Sequence, residues 1–132
     1  MTLFYRFIVI ILFATLLLNT TCNDDTAPSC ELYLEALTEL GNEIENLASN
    51  SECGEAFECR FLAYGSKPCG GPWRYLIYST SIDTLLIQDL VAEYNSFEEE
   101  YNMNCDAVSD CAAVLPPISF ICKHSTCVPV FN

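Results

Sequence analysis

Hydrophobic residues recur at helical spacing along two long stretches of the chain. In the first, a stripe of apolar residues steps by three or four positions behind Ser29, a good N-cap residue. Gly41 lies within this stretch and weakens a helix by about 1 kcal/mol relative to alanine, which leaves a kink or an early end open. The spacing predicts a first helix whose buried stripe is Cys30, Tyr33, Leu37, Leu40, Ile44 and Leu47, with the glutamates off the stripe.

A second helix is predicted behind Asp83, which is also a good N-cap residue. Ile82 can pack on Ile87 across that cap as a hydrophobic staple. The glutamates at 98–100 lie near the C-terminus of this helix, where the helix dipole disfavours negative charge. The apolar face of the helix is predicted to be Leu86, Leu90, Tyr94, Phe97 and Tyr101.

Shorter runs of apolar and aromatic residues predict strands. Residues 57–64 and 73–78 are predicted as strands, residues 111–115 as another that prolines end, and residues 118–122 and 127–131 as a hairpin. Pro129 cannot donate to a ladder, so we expect the last strand at an edge. Together these elements predict an α+β domain over residues 29–132, with two helices packed on one face of an antiparallel sheet of about four or five strands.

A separate apolar run precedes this domain. Residues 7–18 follow Arg6 and are fewer than the ~20 apolar residues that a membrane-spanning helix needs. We therefore expect residues 1–21 to be a signal peptide and residues 22–28 to be a short polar tether. A retained transmembrane anchor is the alternative, which the length of the run disfavours.

Nine cysteines predict an oxidising compartment. If Cys22, at the end of the leader, carries a lipid, an even number remains, as disulfides require. Spacing does not determine their pairing, and the local pair we expect is Cys122 with Cys127 across the predicted hairpin. The chain has no Cys-x-x-Cys pair and one histidine, so we expect no metal, redox centre or cofactor. The cysteines predicted to form disulfides are Cys30, Cys53, Cys59, Cys69, Cys105, Cys111, Cys122 and Cys127.

The chain is strongly acidic. It has 18 aspartates and glutamates against 5 lysines and arginines, and its formal net charge is −13. Such a chain repels nucleic acid phosphates and anionic lipid headgroups, so we expect neither as a partner. A basic protein or peptide would be attracted, although solubility alone also explains the charge. The sequence does not determine the oligomeric state.

Candidate catalytic residues have simpler structural explanations. His124 lies in the predicted hairpin turn beside Lys123, and no serine or cysteine nucleophile motif accompanies it. The glutamates could supply the carboxylate pair of a glycosidase, but they follow the outer faces of the predicted helices. We therefore predict no enzymatic activity.

The most distinctive segment is Gly65–Arg74, which links the first predicted strand to the second. Its glycines and prolines fix an unusual backbone path, and Cys69 can pin it. A protease inhibitor is one function for such a loop, because a basic residue held rigidly binds at a low entropic cost. A constrained turn is the alternative that we favour. As a binding loop, the segment would present Lys67, Pro68, Gly70, Gly71, Trp73 and Arg74.

The end of the leader resembles a bacterial lipoprotein signal in which Cys22 is acylated. Asn19 and Thr21 depart from the residues usual before that cysteine. Loose signals of this kind resemble those of Bacteroidota lipoproteins. In that group, acidic residues after the cysteine, here Asp24 and Asp25, imply export to the cell surface. The departures leave ordinary secretion as the alternative.

A further set of residues within 53–128 is Gly65, Lys67, Pro68, Cys69, Gly70, Gly71, Pro72, Tyr75, Tyr78, Ser79, Tyr94, Asn95, Ser109, Asp110, Cys111, Pro116 and Pro117. This set resembles one uncharacterised family of small Bacteroidota lipoproteins, and that resemblance implies no activity. We therefore expect a lipid-anchored, extracytoplasmic binding module at the outer membrane. Its expected partners are the membrane, through the N-terminal lipid, and another protein. A protease inhibitor is the alternative function.

Overall fold

The computed structural model of the protein describes residues 28–132. The predicted signal peptide, Cys22 and the predicted tether up to residue 27 lie outside these residues. Within residues 28–132, the regular structure consists of two helices and two β-hairpins. Neither of these helices combines the length and the apolar composition that crossing a membrane requires.

Both predicted helices are present, and each begins at its predicted cap. Helix α1 spans Cys30–Ser49 and helix α2 spans Thr84–Asn104. The Ser29 hydroxyl accepts a hydrogen bond from the Leu32 N–H at 3.4 Å. The Asp83 carboxylate accepts two from the first turn of α2, each at 3.0 Å. Local capping chemistry therefore sets where both helices start.

Helix α1 continues through Gly41 to Ser49, so the glycine does not end it. A Cβ atom at Gly41 would lie 3.2 Å from the Tyr64 hydroxyl and 3.4 Å from the Tyr94 ring. These two tyrosines are stacked, with ring centroids 4.6 Å apart. The glycine thus lets the stacked pair approach the helix, and this packing offsets its low helix propensity.

The strands form two separate antiparallel hairpins, so the predicted single sheet of four or five strands is wrong. Strand β1 (Cys59–Tyr64) pairs with β2 (Arg74–Ser79). Strand β3 (Ser119–Lys123) pairs with β4 (Thr126–Val130). The coarser prediction of a small disulfide-rich α+β domain is confirmed.

The two hairpins meet through side chains and do not share a hydrogen-bonded ladder. The rings of Phe61 and Phe120 lie 6.0 Å apart between them, and a disulfide joins Cys59 to Cys127. Pro129 lies in β4, which pairs with β3 alone, so its predicted place in an edge strand is confirmed.

The strand predicted at residues 111–115 is wrong, because this stretch has no regular secondary structure. Cys111 has a φ of 53°, in the left-handed region, and forms a disulfide with Cys69. The carbonyl of Ala112 accepts a hydrogen bond from Nζ of Lys67 at 2.7 Å. A covalent bond and a side-chain donor therefore hold the backbone where we expected a ladder.

The hydrophobic core lies between the helix pair and one face of the β1–β2 hairpin. Alternation along the two strands turns every second side chain toward the helices. Ile82 packs against this core, as expected of a residue placed just before the cap of α2. The buried cluster consists of Ile44 and Ala48 from α1, Tyr64, Leu76 and Tyr78 from the hairpin, and Ile87 and Val91 from α2.

All eight cysteines predicted to form disulfides do so, but the predicted pair Cys122–Cys127 is wrong. The two are opposite each other in the β3–β4 register and share one face of that hairpin. Each bonds outward to the rest of the protein, because that face is turned toward β1 and the segment before it. The four bonds are Cys30–Cys105, Cys53–Cys122, Cys59–Cys127 and Cys69–Cys111.

Candidate functional site

The glycine–proline loop, residues 65–73, joins β1 to β2 along an unusual backbone path. Gly65, Gly70 and Gly71 have φ angles of 81°, 91° and 82°, a region that only glycine occupies without strain. The Gly70 N–H donates to the Lys67 carbonyl at 2.8 Å, and the Lys67 N–H donates to the Gly71 carbonyl at 2.9 Å. The predicted constrained turn is therefore present.

Gly65 is also required by close packing. A Cβ atom there would lie 2.5 Å from Cδ1 of Trp73 and 2.9 Å from a carboxylate oxygen of Glu98. Any side chain at position 65 would displace the Trp73 indole from its present packing. The position thus combines a left-handed backbone with a close approach.

Helix α2 holds the start of this loop through polar side chains on one face. Oδ1 of Asn95 accepts a hydrogen bond from the Gly65 N–H at 2.7 Å. Glu98 accepts one from the Ser66 N–H at 2.5 Å, and the amide of Asn102 donates to the Ser66 carbonyl at 2.7 Å. Positions 95, 98 and 102 follow helical spacing, so one face of α2 presents all three.

Sequence analysis did not identify this set of anchoring residues. We assigned the glutamates at 98–100 to a solvated surface, whereas Glu98 is partly buried against the loop. The available signal was Asn95, Glu98 and Asn102 at helical spacing beside the apolar face of α2. Polar residues so close to a buried stripe indicate a partner for buried backbone groups.

The environment of Glu98 disfavours its charge. Burial raises the pKa of this carboxyl, and hydrogen bonds from the Ser66 N–H and the Trp73 indole oppose that rise. The carboxylate therefore fixes the loop by accepting two donors in a partly desolvated position. Burial raises the pKa of the neighbouring Tyr64 and Tyr94 in the same way.

Lys67 is buried, which corrects our expectation of an exposed residue in the loop: it is 6% exposed. Its Nζ donates to Oδ1 of Asp110 at 3.0 Å and to the Ala112 carbonyl at 2.7 Å. The same atom lies 5.1 Å from the centroid of the Trp73 ring. The hydrogen bond from Lys67 is the main reason that the pKa of Asp110 is lowered. The ammonium thus has a structural role.

A second segment is locked to the loop. The connecting segment, residues 105–118, joins α2 to β3 without regular secondary structure beyond its first turn. Cys69 and Cys111 join the two segments, with their Cα atoms 5.7 Å apart. Lys67 adds its bonds to Asp110 and the Ala112 carbonyl nearby. The two segments therefore form one cross-linked surface.

The exposed part of this surface is largely apolar. In the connecting segment, Val108 is 87% exposed and Leu115 is 70% exposed, and in the loop Trp73 is 40% exposed. Pro68 and Gly70 are also exposed. Apolar side chains held in solvent by a rigid backbone are a feature of binding surfaces.

Arg74, the last of the predicted binding-loop residues, is only partly free. Its guanidinium lies over the Tyr64 ring, 4.4 Å from the centroid, and pairs with the Glu45 carboxylate of α1. Burial lowers the pKa of Arg74. Arg74 therefore ties the end of the loop to α1 while about half of its side chain, 46%, stays exposed.

The remaining candidates for chemistry are accounted for by the fold. His124 lies exposed in the turn between β3 and β4, as predicted. The sulfur atoms of Cys53, Cys59 and Cys127 lie within 4.8 Å of one another, but each belongs to a disulfide. Metal ligation needs thiolates, so this sulfur cluster is a pair of adjacent cross-links.

Comparisons with known proteins identify no relative. The sequence matches no family model and no curated protein, and the structure matches no solved structure. The resemblance to small Bacteroidota lipoproteins therefore stays a prediction.

Proposed function

We propose that the protein is a lipid-anchored, extracytoplasmic module that binds another protein through the glycine–proline loop and the connecting segment. The observation that carries this proposal is the cross-linking of these two segments around the buried Lys67, with apolar side chains left exposed. A rigid surface loses little conformational entropy on binding, which favours recognition of a protein partner. No reaction is assigned to the protein.

The pairing of the cysteines supports the lipid anchor. The eight cysteines from Cys30 to Cys127 bond among themselves, which leaves Cys22 outside these four disulfides. A single cysteine at the end of a leader is the residue that a lipoprotein signal would acylate. The four disulfides support the proposed location outside the cytoplasm, where disulfides persist.

Metabolic labelling with a palmitate analogue tests the anchor. Wild-type protein should incorporate the label, and Cys22→Ala should not. The double variant Cys30→Ala/Cys105→Ala, which removes one disulfide, should keep the label. Equal labelling of wild type and Cys22→Ala would contradict the anchor, as would an unlabelled wild type.

Photo-crosslinking in living cells tests the binding surface. A photoreactive phenylalanine analogue at Pro68 or Val108, both exposed, should give a discrete cross-linked species with another protein. The same analogue at Gln88, an exposed position of α2 that belongs to neither segment, is the control. Cross-links that form equally from all three positions, or only from position 88, would contradict the proposed surface.

The protease-inhibitor hypothesis stays a prediction that now concerns Arg74. Lys67 is enclosed by its own contacts, whereas the Arg74 side chain is 46% exposed. Titration against a trypsin-like protease tests it directly. Inhibition by wild type that Arg74→Ala abolishes would support the hypothesis, and the absence of inhibition would contradict it.

A further inference from the structure

A recessed site lies along the edge of β2 that does not pair with β1. We call it the β2-edge groove. It has a volume of about 290 Å³ and is lined by Ala48 and Ser49 at the end of α1, by residues 74–77 of β2 and by residues 126–127 of β4. Four successive residues of one strand thus form one wall, which presents backbone as well as side chains to the groove.

The backbone of β2 has hydrogen-bonding groups on this side that the fold does not use. In an antiparallel pair, residues alternate between those bonded to the partner strand and those whose N–H and C=O point away from it. The Thr80 N–H donates to the Glu58 carbonyl at 2.9 Å, and the Ser79 N–H turns outward to the Ser51 hydroxyl at 3.1 Å. Tyr75 and Ile77 each lie an even number of positions from Ser79, so their N–H and C=O groups also point away from β1.

These outward groups have no partner within the described part of the chain. No hydrogen bond outside the strand ladder involves the backbone of Tyr75 or Ile77 among residues 28–132. Two N–H donors and two C=O acceptors therefore face the groove. A strand edge with unpaired groups in this arrangement is a template for another extended segment.

The shape of the groove restricts what can occupy it. The β2 edge is recessed between α1 and β4, so the equally recessed edge of a second copy cannot reach it. The four wall residues of β2 span about 13 Å, which matches a short extended peptide. Ala48, Ser49 and Thr126 in the groove lining are small, which leaves room for the side chains of the occupant that face them.

Charge adds a further restriction. The chain has a net charge of −13, and neither α1 nor α2 contains a lysine, arginine or histidine. Glu45 borders the groove and pairs with Arg74, the one basic residue in its lining. The field of the protein therefore favours a basic segment over an acidic one.

We infer that the β2-edge groove binds an extended, basic segment of another protein, which adds a third strand beside β2. The backbone of the segment pairs with Tyr75 and Ile77, and its side chains alternate between the α1 wall and the β4 wall. This site is separate from the surface formed by the glycine–proline loop and the connecting segment, and it does not depend on the lipid anchor.

Selection from a phage-displayed library of random peptides with flanking lysines tests the inference on the purified mature protein with its disulfides intact. Selected peptides should slow hydrogen exchange at the amides of Tyr75 and Ile77. N-methylation of alternate peptide residues should abolish binding, and N-methylation of the residues between them should be tolerated, since only one set of N–H groups faces β2.

Two matched variants separate groove binding from other effects. Ser49→Trp fills the groove at an exposed position and should weaken peptide binding by about tenfold or more. Ser96→Trp makes the same change at an exposed position of α2 outside the groove and should bind as wild type. Circular dichroism and a thiol assay confirm that both variants are folded and fully oxidised.

Several results would overturn the inference. These are failure to select any peptide, protection confined to other amides, equal tolerance of N-methylation at every residue, or equal binding by Ser49→Trp and wild type. Palmitate labelling and cross-linking from positions 68 and 108 do not depend on these results. Failure of the groove and failure of the proposed function are therefore distinguishable.

Discussion

The first part of the domain and its last part are held in place by different forces. Residues 30–104 contain the two helices, the β1–β2 hairpin and every residue of the buried core cluster. Residues 105–132 contribute none of that cluster, and Ile121, in the middle of β3, is 59% exposed. All four disulfides join this last part to residues 30–69.

A small acidic domain can thus present a surface that it does not bury. A segment with exposed apolar side chains gains little from the hydrophobic effect on folding. Cross-links separated by 42 to 75 residues restrict the unfolded chain and supply that stability instead. The last part can therefore keep apolar residues free for a partner.

The largest expected effect is that of reduction. Complete reduction removes four cross-links, each of which contributes about 2–4 kcal/mol. Residues 119–130 should then exchange their amide hydrogens before α1 and α2 do, because the helices retain the core. Hydrogen exchange followed by mass spectrometry at increasing dithiothreitol measures the order. Simultaneous loss of protection in both parts would contradict the conclusion that different forces hold them.

Truncation of buried and exposed isoleucines should separate the two parts next. Ile44 is fully buried in the core, and Ile44→Ala should lower the free energy of unfolding by about 2–5 kcal/mol. Ile121→Ala, the same truncation in β3, should change it by less than about 0.5 kcal/mol. Urea unfolding of the oxidised proteins measures both. Equal effects would show that the β3–β4 hairpin is held by burial after all.

A smaller effect is expected at the start of the glycine–proline loop. Gly65→Ala should lower the free energy of unfolding by about 1–3 kcal/mol, because its φ of 81° is left-handed and its Cβ would meet Trp73. Gly54→Ala is the matched control, since a Cβ there meets nothing within 4 Å. Thermal unfolding compares the two. A Gly65→Ala protein as stable as Gly54→Ala would argue against a rigid loop.

The smallest effect concerns pH. The pKa of Glu98 is raised above its ordinary value of 4.5, so the folded state holds this proton more tightly than the unfolded state does. Its contribution is therefore full below pH 4.5 and declines as the pH rises through the folded-state pKa. Glu98→Gln keeps an acceptor for the Ser66 N–H and should remove this decline.

Denaturant titrations of wild type and Glu98→Gln across this pH window measure the difference. Glu99→Gln makes the same change at an exposed neighbouring position and should leave the wild-type pH dependence in place. If Glu98→Gln and wild type had parallel pH profiles, Glu98 would not be the partly desolvated anchor of the loop.

The candidate site was predictable in part. Gly65, Gly70 and Gly71 indicated a fixed turn because left-handed backbone is a local property of glycine, and each has a positive φ. The burial of Lys67 was not predictable, because its ammonium contacts Asp110, which lies 43 positions away in the sequence. A lysine between prolines and glycines has the same local pattern whether it faces solvent or not.

The sequence by itself determined the features that depend on neighbouring residues. Ser29 and Asp83 set the helix starts, and the count of eight cysteines beyond the leader required four bonds if all were oxidised. Apolar periodicity predicted Tyr33, Leu37 and Ile44 on the buried face of α1. These follow from local backbone preferences and from parity. The predicted face of α2 was wrong, because Ile87 and Val91 are its buried residues and Leu86 is 44% exposed.

Only the tertiary structure decided which distant residues meet. It paired Cys122 with Cys53 and not with Cys127, kept the strands as two hairpins, and placed Lys67 inside. Each of these outcomes depends on which faces pack together once the chain is compact. Many arrangements have the same local pattern, and packing in three dimensions selects among them.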